Sequence, residues 1–139
     1  MRFTHSFILF VFTFIMYACN STKETTQALA ISEVYIAKDK EGQVGEKLAV
    51  VPATDNTFHC VVQLNKKEAG AKLVATLIAV EAEGGFENYE VRALEAITDS
   101  LSQQVVFPFS LARPWQKGTY KCDIQLNEKT TTTVNFSIQ

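Results

Sequence analysis

"GTYKCDIQLN", residues 118–127, alternates without exception once past its glycine. Tyr120, Cys122, Ile124 and Leu126 fall on one side, and Lys121, Asp123, Gln125 and Asn127 on the other. A period of two with one apolar side describes a β-strand that turns one face to a core and one to water. A second stretch, "TFHCVVQLN" at 57–65, has the same layout. Phe58, Cys60, Val62 and Leu64 share a face, His59, Gln63 and Asn65 take the opposite one, and Val61 breaks the pattern. Both strands therefore carry a cysteine on the buried face, while His59 is expected on the outer face, solvated or at a rim.

Similar short segments fill the chain around these two. "SEVYIAKD" (32–39) predicts a first strand, ended by polar residues 38–41 and Gly42, and "KLAVVP" (47–52) a short second segment closed by Pro52. "AKLVATLIAVEA" (71–82) is apolar on both faces, as a central strand packed on both sides or extending beneath a loop would be, and Gly84-Gly85 breaks it. Residues 86–102 fit a helix or a strand by their apolar spacing, and we read them as a strand because every neighbour is one. In "QVVFPFSL" (104–111), Val105, Phe107, Phe109 and Leu111 point inward. Pro108 cannot donate to a ladder, so this strand belongs at an edge or at a bulge. "TTTTVNFSI" (130–138) closes the chain with Val134, Phe136 and Ile138 inward. Short strands about every ten residues with no convincing helix predict an all-β sandwich of about seven antiparallel strands over residues 31–139.

The first residues read differently. Arg2 precedes the apolar run "SFILFVFTFIMY" (6–17), about a dozen residues, which suits a secretory signal and is too short to span a bilayer. Ala18-Cys19 follows, then the polar stretch "NSTKETTQALA" (20–30). This arrangement resembles a bacterial lipoprotein signal peptide, with Ala18 before the cut and Cys19 as the lipidated residue. Met16 and Tyr17 depart from the usual Leu and small residue of that motif. The resemblance implies a signal at 1–18, diacylglycerol on the Cys19 thiol and a palmitate-type acyl chain on the new N-terminus. Two or three chains anchor stably where one does not. Residues 19–30 then read as a flexible tether, and the domain as a cell-envelope protein, periplasmic or surface-exposed.

Export also changes the cysteine count. The chain has three cysteines; with lipid on Cys19, Cys60 and Cys122 remain, in a compartment where disulfides persist. A bridge between them is the expectation, with two buried reduced thiols as the alternative.

Around Cys122, the stretch Gly118-Thr119-Tyr120-Lys121-Cys122 is similar to the G-x-Y-x-C element of immunoglobulin-like domains. The resemblance implies that Tyr120 forms a tyrosine corner at the start of strand F, and that Cys122 pairs with a strand-B cysteine, whose place Cys60 takes. The tail "RPWQKGTYKCDIQLNEKTTTTVNFSI" (113–138) also resembles the closing strands of bacterial extracytoplasmic immunoglobulin-like domains. The family's strand-C tryptophan is missing from Val74–Ala79; the chain's single tryptophan, Trp115, precedes strand F instead.

The chemistry-bearing residues are few. Net charge is −2, and no basic cluster exceeds Lys66-Lys67, so the counterion-releasing patch that nucleic-acid binding needs is not there. Triad catalysis needs a histidine, and His59 is the sole one after the leader, with no motif around it. No CxxC, HxxxH, EF-hand or phosphate-loop spacing occurs, so no catalytic residue, metal or cofactor is expected. Two places suit binding: Arg113 with Trp115, since such residues dominate hot spots, and Phe86 with Tyr89 after the double glycine. Trp115 equally suits a role as a cap over the core near Tyr120. The function expected is a non-enzymatic, lipid-anchored module that binds an envelope protein or glycan. Inhibition of a secreted protease, or hydrolysis through His59, are the alternatives.

Overall fold

The computed structural model describes residues 27–139, with the side chains of Thr130 and Thr131 left aside. The signal at 1–18, Cys19 and the tether as far as residue 26 lie outside the described residues. Nine strands follow in order: β1 (Ile31–Lys40), β2 (Gln43–Leu48), β3 (Val50–Val51), β4 (Thr57–Leu64), β5 (Lys72–Ala82), β6 (Phe86–Ile97), β7 (Gln104–Ser110), β8 (Gly118–Leu126) and β9 (Thr130–Ile138). They form two sheets, ordered β2-β1-β4-β7 and β3-β9-β8-β5-β6. The domain is an immunoglobulin-like β-sandwich. Residues 86–97 are strand, as read from the sequence.

The alternation seen at residues 118–127 determines the core. Phe58, Cys60, Val62 and Leu64 of β4 meet Tyr120, Cys122, Ile124 and Leu126 of β8, and all eight are buried. Phe107 and Phe109 of β7, and Phe136 and Ile138 of β9, complete the same interior. Burial of this apolar surface is the main term holding the sheets together. One end is aromatic: Phe58 lies 5.8 Å from Phe109, 5.0 Å from Trp115 and 5.4 Å from Phe136, centroid to centroid, in tilted and edge-on contacts. Leu77 of β5 is buried and pairs with Cys122 of β8.

Several expectations are corrected. There are nine strands rather than about seven, because the segment at 43–51 divides. β2 pairs with β1, and two residues later β3 crosses to the other sheet and runs parallel to β9. β5 lies inside its sheet, fully covered on the core side and only partly on the other, where Val74, Thr76, Ile78 and Val80 are half-buried. Asn65 accepts from the backbone N–H of Ala30 at 2.9 Å and donates to the carbonyl of Ala28 at 2.8 Å, so residues 28–30 are stapled to the domain. β7 is an edge strand, the position that Pro108 requires.

His59 is the largest correction. It lies on the outer face of its sheet, yet it is only 4% exposed rather than solvated. Its Nε2 is 2.7 Å from Oδ1 of Asp39, while Nδ1 is buried and has no hydrogen-bond partner. Val61, also outward, is fully buried. Tyr35 pairs with Val61, and its hydroxyl accepts from Gln104 Nε2 on β7 at 3.4 Å, so the ring lies across β4. Lys47 sits over that ring, 4.4 Å from its centroid. The break in alternation at Val61 therefore marks a covered outer face.

Candidate functional site

On the side where β6 and β7 form the two sheet edges, the sheets leave a gap. Ala79, Phe86, Tyr89, Val91, Leu111, Arg113, Pro114, Trp115, Gln116 and Tyr120 line a cleft there of about 250 Å³. All four residues singled out as binding candidates, Phe86, Tyr89, Arg113 and Trp115, thus meet at one place. β6 brings the first two. Tyr89 pairs with Ala79 and so shares the core-facing side, but at the sheet edge it stays 54% exposed. The rings of Phe86 and Tyr89 contact each other at 5.1 Å. The connection between β7 and β8 brings the other two.

That connection is held from both ends. The backbone N–H of Leu111 donates to the Asn56 carbonyl at 2.9 Å, and that of Trp115 to the Ala53 carbonyl at 3.0 Å. The Trp115 indole is 5% exposed and packs on Phe58, so it caps the aromatic end of the core while its edge borders the cleft. Its Nε1–H is buried without an acceptor. Arg113 is exposed, forms no ion pair among the described residues, and is the one charged side chain lining the cleft.

Tyr120 supports this wall from below. Its hydroxyl donates to the carbonyl of Gln116 at 2.7 Å, the back-bond that defines a tyrosine corner. Burial, and then the negative charge of Glu83, raise the Tyr120 pKa above its ordinary value of 10.0. The folded state thus holds this proton more tightly than the unfolded chain does. Its stabilisation is complete below pH 10.0 and is lost as pH rises through the higher folded value. Tyr120→Phe is expected to cost about 1 kcal/mol near neutrality and to flatten part of the alkaline decline. Urea midpoints at about pH 8 and about pH 11 check both effects.

The two cysteines project toward each other across the interior, each with no exposure. Both are free thiols in this structure, so the expected bridge is not formed here, although the facing that it needs is present. The hydrogen bond with Cys60 is the largest cause pushing the Cys122 thiol pKa far up; burial and the nearby Cys60 and Asp123 charges add to it.

Elsewhere, His59 and Asp39 make two-thirds of a triad. A nucleophile would have to bond Nδ1, and among the described residues none does; Cys60 belongs to the opposite face of β4. No group of three or more His, Cys, Asp or Glu able to hold a metal ion occurs among the described residues. The cleft residues not singled out for binding in the sequence are Ala79, Val91, Leu111, Pro114 and Gln116. Of these, Leu111 is expected only as an inward residue of the strand at 104–111.

No family model matches the chain, and no curated protein does. Among solved structures, it is similar to an immunoglobulin-like protein from Pseudomonas aeruginosa, at 13% identity and a TM-score of 0.55, over 83% of this chain and 99% of that one. This likeness concerns the fold alone. Two further likenesses are partial. A β-glucosidase from Erythrobacter marinus matches at 9% identity and a TM-score of 0.49, over 81% of this chain and 15% of that one. An alkylpurine DNA glycosylase from Pseudomonas fluorescens matches at 10% identity and a TM-score of 0.47, over 80% of this chain and 30% of that one. Neither bears on what this chain does.

Proposed function

We propose that the chain is a lipid-anchored cell-envelope protein, held by Cys19, whose immunoglobulin-like domain works by binding rather than by catalysis. Its binding site is the cleft between β6 and the β7–β8 connection. One observation carries this reading. Two aromatics after Gly84-Gly85 and an arginine–tryptophan pair about twenty-five residues away converge on one cleft at the sheet edges. Exposed Tyr89 and exposed Arg113 flank a half-apolar hollow, and such residue types dominate hot spots. The back-bonded, doubly tethered wall supplies rigidity, which lowers the ordering cost of binding.

The test uses intact cells of the source bacterium. A photo-crosslinking residue at position 89 is expected to give a discrete adduct that the same residue at exposed Gln125, on the outer face of β8, does not give. Equal labelling from both positions would remove the cleft from the proposal. Mass spectrometry of the mature N-terminus is expected to find an acylated cysteine at position 19. An unmodified start further along would remove the anchor.

A further inference from the structure

We propose that the cleft takes the carboxyl-terminal residue of a partner polypeptide, with an apolar side chain inserted and the terminal carboxylate on Arg113. This rests on the reading of the cleft as the binding site and adds its occupant. Three features select that chemistry.

The first is size. About 250 Å³ lies below the roughly 300–1,000 Å³ of pockets that enclose drug-sized ligands, so one large side chain fills it and an oligomer does not. The second is the lining. Ala79, Phe86, Val91, Leu111 and Pro114 present carbon, which rewards an apolar or aromatic side chain, beside the polar groups of Tyr89, Arg113 and Gln116. The third is charge. Arg113 is the single charged liner and lacks a carboxylate among the described residues. A guanidinium at the rim of an apolar hollow is matched by a carboxylate through two parallel N–H···O bonds. A neutral glycan leaves that charge unused. An internal peptide segment supplies an anion only through a separate Asp or Glu side chain, which has to be ordered as well. A chain end supplies both on adjacent atoms.

The experiment uses the full-length protein in detergent micelles, with the indole N–H signal of the single tryptophan, Trp115, as reporter. Three probes are titrated: acetyl-Ala-Ala-Phe as the free acid, the same peptide as its amide, and a trimer of N-acetylglucosamine. The acid is expected to bind tighter than the amide by about tenfold or more, the scale of one charge-assisted hydrogen-bonded pair. Arg113→Gln is expected to abolish that difference, and Arg113→Lys to restore part of it. Tyr89→Ala is expected to weaken acid and amide equally. Arg113 and Tyr89 are exposed, so these variants keep the fold. Equal affinity for acid and amide, or a preference that survives Arg113→Gln, overturns the proposal. Tyr89-dependent binding of the sugar trimer without peptide binding overturns the chain-end occupant and leaves the cleft as the site. Failure of all three probes overturns the occupant as well, and the crosslinking from position 89 then decides the cleft separately.

Discussion

Gly118→Ala is expected to be among the most damaging single-methyl additions this domain can receive. Gly118 opens β8 with φ at 156° and pairs with Ala82 at the end of β5. A Cβ built there meets the Glu81 carbonyl oxygen well inside contact distance and lies 2.6 Å from the Ala82 Cα. Both obstacles are backbone, in a strand locked between β8 and β6, so no side chain can swing aside. Relief requires parting β5 from β8 just where Tyr120 and the cleft wall begin. Overpacking and backbone strain together suggest a loss of about 3 kcal/mol or more, a large share of the 5–15 kcal/mol typical of a domain. Gly42→Ala is the control. Gly42 has φ at 82°, but a Cβ there meets nothing within 4 Å, so it costs only the left-handed conformation, about 1–2 kcal/mol. Urea unfolding of the three proteins decides the matter. If Gly118→Ala is no worse than Gly42→Ala, the close approach is not what this position requires.

The same glycine shows what kind of information the chain exposes. A strand with one buried face writes its core into its own sequence, so the inward residues of β4, β7, β8 and β9 were readable position by position. Contacts between segments leave no such mark. Nothing in "VVP" shows that Val50–Val51 changes sheets, because a two-residue strand has no period. Asn65 holding Ala28 and Ala30 pairs residues about thirty-five apart, which a polar stretch conceals. For His59, facing alone does not decide exposure. Asp39 of the neighbouring strand bonds its ring, Tyr35 crosses the same face at Val61, and the one hint in the sequence is the apolar Val61 out of phase.

The candidate site was legible in pieces only. Arg113, Trp115, Phe86 and Tyr89 are recognisable by residue type, as aromatics and an arginine close to turn signals. Their meeting depends on β6 and β7 forming the edges of opposite sheets, a matter of strand order. The β6 bulge adds to this. Arg92 pairs with Leu77 and Glu90 with Ile78, so Val91 is the extra residue. The bulge shifts the alternation and brings Val91 and Tyr89 to the cleft side.

Oxidation of Cys60 and Cys122 is expected to stabilise the domain by roughly 4 kcal/mol, the chain-entropy figure for a loop of about sixty residues. The two side chains already share the interior and lie close enough to act on each other's ionisation, so the pair faces as a bridge requires. How the bridge forms follows from the same contact. Disulfide exchange needs a thiolate, and this burial and hydrogen bond hold Cys122 protonated far above its ordinary value of 9.0. Folded, reduced protein is therefore expected to resist oxidised glutathione for hours. Refolding from urea in the same reagent is expected to give the bridge, one glutathione disulfide being reduced to two thiols that take up the two cysteine protons. The reduced form carries a second signature. Its thiol stabilisation is complete below pH 9.0 and fades as pH rises toward the folded value, a decline that the bridged form lacks. Alkylation under denaturing conditions counts the thiols, and urea midpoints against pH compare the two forms. A bridge that forms as fast in the folded as in the refolding protein would show that the interior opens far more readily than two fully buried sulfurs allow. Bridged protein no more stable than reduced would show that closure strains the sheets by as much as the loop constraint contributes.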